Sequence, residues 1–154
     1  MIYFQPGHTV DHLIAILEEE NSMFTSDNVL GLGTGVYENL SQYLNSLKLM
    51  HQLNPGSLYP GHGRHVPADE SRELVQLYIT HRMNRVIQVE QFLKIHPEGL
   101  DLKSLTRLVY VDVSEDLLRP AMKNSKNVLE YLAGEHQAEN VDGIWSFIPT
   151  HNAL

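Results

Sequence analysis

Two histidines occupy the same kind of turn, His8 in Pro6-Gly7-His8-Thr9 and His62 in Tyr59-Pro60-Gly61-His62-Gly63, and an isolated acid, Asp27, lies between them. Imidazole nitrogen and carboxylate oxygen are the donors that zinc, manganese or iron accept. Gly61 and Gly63 flank His62 and tolerate close backbone approach, while Pro60 fixes φ and ends the strand before it. Alone, such a turn reads equally well as a glycine-rich bend with an incidental histidine. Its repetition, with Asp27 following the apolar run Met23-Phe24-Thr25, favours three strand ends that converge on one site.

Composition narrows the chemistry. The chain has 154 residues, 42% hydrophobic content and a formal charge of −8. That length suits one globular domain, or part of one with a small second module. The acidic balance argues against a surface that attracts nucleic acid everywhere, because phosphate binding needs concentrated Lys and Arg. With no cysteine there is neither a disulfide framework nor a thiolate metal site. No apolar run approaches the ~20 residues of a membrane span and no signal peptide is visible, so an intracellular protein without a membrane partner is expected. Cytoplasm and mitochondrial matrix both remain open.

The elements that must position these residues follow from periodicity. Met1-Ile2-Tyr3-Phe4 is β-prone and enters the first turn abruptly, as though continuing something longer. His12 to Leu17 is a nearly continuous apolar run, the pattern of a strand buried on both faces. Glu18, Glu19 and Glu20 read as a water-facing hairpin tip rather than a metal site. The returning strand then delivers Asp27 to the end occupied by His8. Leu30 to Gly35 is glycine-spaced but lacks the lysine of a phosphate loop, so it is expected to be a flexible loop near the site. Val36 to Leu53 has helical spacing through Leu40, Tyr43, Leu44, Leu47 and Met50, and Asn54-Pro55-Gly56 stops it. Ala68 to about His96 forms a long helix on Leu74, Leu77, Tyr78 and Ile79, then Val86, Val89, Phe92 and Leu93. His81 on that helix reads as structural or as lining a site.

Pro97-Glu98-Gly99 marks an internal boundary, dividing residues 1–96 from 97–154. The second segment reads as helix 102–109, a helix capped at Ser114-Glu115-Asp116 that stops at Gly134, and a hairpin turning at Asp142-Gly143. Preceded by the long helix, that order is the order of a winged helix. Such modules bind nucleic acid, dimerise or act as covers, and the helix here offers Arg119, Lys123 and Lys126.

Taken together, Pro6-Gly7-His8-Thr9 with Asp11-His12, Phe24-Thr25-Ser26-Asp27, Tyr59-Pro60-Gly61-His62-Gly63 and Tyr78-Ile79-Thr80-His81-Arg82 resemble the metallo-β-lactamase superfamily. The closer resemblance is to its lactamase-beta-like endoribonuclease branch, which is similar to glyoxalase II but carries a winged helix. It runs through nearly the whole chain. The implied fold is α/β, the second half of an αββα sandwich followed by the C-terminal winged-helix module. The resemblance further implies that His8 binds a first metal, Asp27 bridges two and His62 binds the second, with Tyr37, His81 and Arg82 as pocket neighbours. Water activated by cations ~3.5–4 Å apart can attack a phosphodiester, thioester or lactam.

Two departures from the family pattern matter. The His-x-His-x-Asp-His segment that supplies further ligands to both metals is absent, and His8-Thr9-Val10-Asp11-His12 lies too late in the order to replace it. Ser26 stands where the family usually has glycine. The zinc site, or manganese or iron site, is therefore incomplete in this chain. Three readings follow: a partial or truncated metal-dependent hydrolase of a single-stranded-RNA-cleaving lineage, inactive alone; a pseudoenzyme that pairs with another protein; or a winged-helix binding module. Burying one apolar side chain contributes ~1.5–3 kcal/mol against a net stability of ~5–15 kcal/mol, so strands missing a covering layer weaken the fold. The 154 residues alone are thus expected to need a partner sheet or homo-oligomer, and to unfold early or aggregate on heating. A cooperative monomeric transition well above body temperature in a thermal melt would refute this.

Overall fold

The computed structural model describes residues 1–33 and 35–149, so Thr34 of the glycine-spaced loop lies outside the described residues. The chain is mixed α/β and forms two compact units, Met1–Arg82 and Met83–Leu154, which divide inside one helix.

In the first unit four strands form one sheet in the order β1 (Ile2–Phe4), β2 (Leu13–Leu17), β3 (Ser22–Ser26) and β4 (Ser57–Pro60). β1 and β3 both run antiparallel to β2, and β4 runs parallel to β3. β1, β3 and β4 therefore point the same way, and their C-terminal ends share one edge of the sheet. His8, Asp27 and His62 each follow one of those ends. The three acids of the β2–β3 hairpin form a short exposed 3-10 turn, Glu18–Glu20, closed by Asn21 in the left-handed region at φ 50°.

Helix α1 (Leu40–Leu53) starts later than its apolar spacing suggests. Asn39 is extended and its side chain accepts a hydrogen bond from the Gln42 N–H at 2.9 Å, so Val36 and Tyr37 belong to the loop before the cap. The helix buries Leu40, Tyr43, Leu44, Leu47 and Met50 and ends at Asn54, φ 49°. The Ser46 hydroxyl, donating to the Pro6 carbonyl at 2.7 Å, ties it to the first turn. A Cβ on Gly7 would meet the Tyr43 backbone at 2.3 Å, so this close approach requires glycine.

Two apolar faces differ from those that the spacing predicts. In α2 (Ala68–Ile95) the buried row within the first unit is Ser71, Val75 and Tyr78, while Leu77 is exposed. Ser71 is accommodated because its hydroxyl donates to the Pro55 carbonyl at 2.9 Å. Nor is β2 buried on both faces. Ile14, Met23 and Leu58 lie on the buried side of the sheet, but Ile2, Phe4, Leu13, Leu17, Phe24 and Tyr59 are exposed. Register places Ile2, Ala15, Phe24 and Tyr59 in one row across the sheet, with the Phe24 and Tyr59 rings stacked at 5.2 Å. The run is continuous because both faces are apolar, although only one is covered among the described residues.

The second unit contains the rest of α2, with Val86, Val89 and Leu93 buried, then β5 (Leu100–Asp101), α3 (Leu102–Val109), α4 (Glu115–Gly134), β6 (Ala138–Val141) and β7 (Ile144–Phe147). Its sheet order is β5-β7-β6. Asp142 and Gly143, at φ 52° and 87°, make a two-residue hairpin turn that matches the twist of the flanking strands. Arg85 donates to the Val109 carbonyl at 3.2 Å and lies 4.3 Å over the Tyr110 ring, holding the end of α3. Ser114 takes the N-cap position of α4 but forms no side-chain cap bond. No helix among the described residues is long and apolar enough to cross a membrane.

Asp101 is the stronger cap. Its Oδ1 accepts the Lys103 and Ser104 N–H groups at 2.9 and 3.0 Å, and hydrogen bonds from Ser104 hold its carboxyl below the ordinary range. Asp101→Ala is expected to lower stability by ~1 kcal/mol in urea unfolding at neutral pH. Because the folded-state pKa is depressed, the stabilisation should be full above the unfolded aspartate value of ~3.9 and fade as pH falls through the lower folded value.

Candidate functional site

The site begins with a break in β3. Register shifts between Phe24 and Ser26, Ser26 adopts φ 47°, and the chain turns so that Asp27 stands at the sheet edge. Its two oxygens face different histidines: Oδ2 is 3.8 Å from His8 Nε2 and Oδ1 is 3.6 Å from His62 Nε2. Both separations exceed hydrogen-bond length, ~2.7–3.2 Å. They suit two donors that share a cation, since atoms each ~2.0–2.2 Å from one ion stand about 3–4 Å apart at tetrahedral or wider angles.

His8 is oriented from behind. Its Nδ1 lies 2.7 Å from the Val36 carbonyl. A carbonyl only accepts, so Nδ1 carries the proton and Nε2 offers a lone pair towards Asp27, the arrangement of a metal-ligating histidine. The side chains of His8, Asp27 and His62 are 17%, 35% and 77% exposed, so access increases towards His62. Gly61 donates its N–H to the Ser26 carbonyl at 2.9 Å, and a Cβ there would lie 2.6 Å from Asp27 Oδ1. The second turn can approach the acid because this position has no side chain. The Gly31 N–H donates to the His62 carbonyl at 2.9 Å, which seats the glycine-spaced loop beside that turn.

Tyr37 is buried, its ring stacked on Tyr43 at 5.4 Å. The Arg82 guanidinium lies 4.9 Å over the Tyr37 ring and donates to the Gly35 carbonyl at 2.6 Å. Burial pushes the Tyr43 hydroxyl pKa up, and this neutral group donates to the Asn28 carbonyl at 2.5 Å. His81 is on an exposed position of α2. Two neighbours of the site are not among the ligands expected from the sequence. The Val36 carbonyl is a backbone group and leaves no signature. His12, which opens an apolar strand and also belongs to the Asp11-His12 pair of the family resemblance, has a buried ring that stands 5.7 Å from the His8 ring edge-on, with no hydrogen-bond partner for either nitrogen among the described residues. Burial, with His8 beside it, lowers the His12 pKa. The available signal was a polar residue entering an apolar run.

Among the described residues no group of three or more His, Cys, Asp or Glu side chains could hold a metal ion. His8 and His62 face different oxygens of Asp27, one imidazole beside each. These donors suit zinc, manganese or iron in kind but fall short of the usual four in number.

No family model matches the chain. It is 39% identical over 135 residues to a beta-lactamase-like protein 2 homolog of Caenorhabditis elegans, covering 88% of this chain and 45% of that protein. It is 34% identical over 131 residues to the Drosophila melanogaster homolog, covering 84% and 44%. An atrochrysone carboxyl ACP thioesterase of Emericella nidulans is 33% identical over 141 residues, covering 84% and 46%. Among solved structures, a beta-lactamase domain protein from Burkholderia ambifaria has a TM-score of 0.81 at 16% identity, covering 96% of this chain and 47% of that one. A metallo-beta-lactamase family protein from Thermus thermophilus has a TM-score of 0.74 at 22% identity, covering 96% and 48%. The chain thus spans about half the length of the curated relatives it matches.

The packing at the acid yields a coupled prediction. Gly61→Ala should destabilise the fold by roughly 1–3 kcal/mol through overpacking, and most of that loss should disappear in an Asp27→Ala background. Denaturant unfolding of the four proteins in the cycle measures the coupling, and equal losses in both backgrounds would contradict the contact. Ser26→Gly should stabilise by roughly 0.5–1 kcal/mol by relieving a left-handed non-glycine.

Proposed function

The chain belongs to the metallo-β-lactamase superfamily, and from this we propose that its first unit carries part of a binuclear metal site for hydrolysis, with His8 on one cation, His62 on the other and Asp27 between them. The observation that carries this reading is the division of the two Asp27 oxygens between two imidazole nitrogens, at 3.8 and 3.6 Å. Zinc is the preferred ion, with manganese or iron as alternatives. When bound, such cations supply Lewis acidity and a water of lowered pKa. The chain's own residues prepare for that role. Val36 fixes the His8 tautomer, Gly61 leaves space for the bridging carboxylate, and exposed His62 stands where a substrate approaches.

The sequence contains no His-x-His-x-Asp-His segment, so the chain is proposed to be inactive alone. Completion requires a partner that supplies more donors. The exposed apolar face with Ile2, Phe4, Leu13, Phe24 and Tyr59 supports a second sheet, or a second copy, as cover for the same domain. Single-stranded RNA is the proposed substrate of the lineage, with residues 97–154 as a winged-helix module. The ordering of β5, two helices and the Asp142-Gly143 hairpin supports that module. A thioester is the second reading, supported by the thioesterase relative. A non-catalytic interaction role is the third.

Manganese titration followed by histidine ring NMR tests the site. The ring signals of His8 and His62 should broaden together, and Asp27→Asn should abolish the effect at both. Broadening at neither histidine would sink the metal reading. The chain alone should cleave neither single-stranded RNA nor a thioester; turnover of either would overturn the proposal that it is inactive by itself.

A further inference from the structure

The Val36 carbonyl that orients His8 belongs to a turn with no regular structure of its own, Gly35-Val36-Tyr37, immediately before the α1 cap. On one side the turn is tied to the first histidine loop, because the Glu38 and Asn39 N–H groups donate to the Gly7 carbonyl at 2.8 and 3.2 Å. Arg82 holds the other side. Its Nη2 donates to the Gly35 carbonyl at 2.6 Å, and its guanidinium covers the Tyr37 and Tyr43 rings at 4.9 and 5.6 Å. Those rings stack on each other, and the Tyr43 hydroxyl donates to the carbonyl of Asn28, the residue after Asp27.

We propose that Arg82 is a positioning residue for His8, clamping the 35–37 turn so that the Val36 carbonyl holds the proton on Nδ1 and leaves Nε2 open towards Asp27. The inference rests on the metal reading only for what Nε2 is for; the orientation of the ring does not depend on it. Stability alone is a poor reason for this arginine. Its Nε is buried with no hydrogen-bond partner among the described residues, and a partly satisfied buried cation is often replaced by an apolar side chain without loss. Its planar fork does what an apolar side chain cannot: one edge reaches a carbonyl while the face lies on the two rings. The clamp also explains how an irregular loop presents one carbonyl in a fixed place. Both neighbours of Val36 are held, Gly35 by the hydrogen bond and Tyr37 by the stack.

Nitrogen-15 ring spectra of His8 at about pH 8, above the ordinary imidazole range, read the tautomer directly and need no metal. The wild-type chain should show one tautomer, with the proton on Nδ1. Arg82→Met should give a mixture of tautomers, and the manganese concentration needed to broaden His8 should rise ~10–100-fold. Arg82→Lys keeps the charge but not the fork, and should fall between the two. A folded Arg82→Met protein whose His8 still carries its proton only on Nδ1 would overturn the proposal. So would failure of both variants to fold, because Arg82 would then serve the fold rather than the histidine. If manganese leaves wild-type His8 unaffected while Arg82→Met shifts the tautomer, the metal reading fails and the positioning role stands.

Discussion

The candidate site of the first unit is arranged around one carboxylate, held at a sheet edge between two imidazoles. Asp27 reaches that point because β3 breaks at Ser26, and His62 can face it because Gly61 has no side chain to collide with Oδ1. Strand direction does the rest. β1, β3 and β4 run the same way, so three loops far apart in sequence emerge side by side, with β2 returning the chain from β1 to β3 and the crossover through α1 returning it from β3 to β4. Side chains placed at strand ends inherit the rigidity of the sheet, which fixes their relative geometry better than a mobile loop would.

The same sheet is asymmetric in its apolar content. One face contributes Ile14, Met23 and Leu58 to the core, while the other presents Phe4, Leu13, Phe24 and Tyr59. Contiguous exposed patches of this kind mark surfaces that meet another element. The relatives, of which this chain spans about half, are long enough to contain such an element. The incomplete donor set and the uncovered face therefore share a physical origin in the proposed reading, because a layer laid over the face would also border the site.

Much of this was legible in the residue order because short-range rules governed it. Asp142-Gly143 between β-prone arms specified a tight hairpin, Asn54-Pro55-Gly56 ended α1, and the three acids at Glu18 formed a water-facing tip. Residue order is a poorer guide where tertiary partners decide. Apolar spacing placed Leu74 and Leu77 inward on α2, but the helix buries Ser71 and Val75, whose row includes a hydroxyl satisfied by Pro55. Periodicity extends α1 back to Val36, whereas the Asn39 cap starts it four residues later. A continuous apolar strand suggests burial on both faces, but residue type reports composition rather than cover, and Leu13 and Leu17 of β2 are exposed.

The sequence by itself determined the candidate residues: two histidines and an acid at strand ends, no thiolate among them, and glycine and proline turns after the strands that carry the histidines. Those properties are intrinsic to residue type and local backbone preference. Only the tertiary structure decided that the Asp27 oxygens divide between His8 and His62, that a backbone carbonyl sets the His8 tautomer, and that Arg82 holds the turn providing it. These are relations between residues up to 47 positions apart, fixed by strand register and close packing, and no local pattern of side chains encodes them.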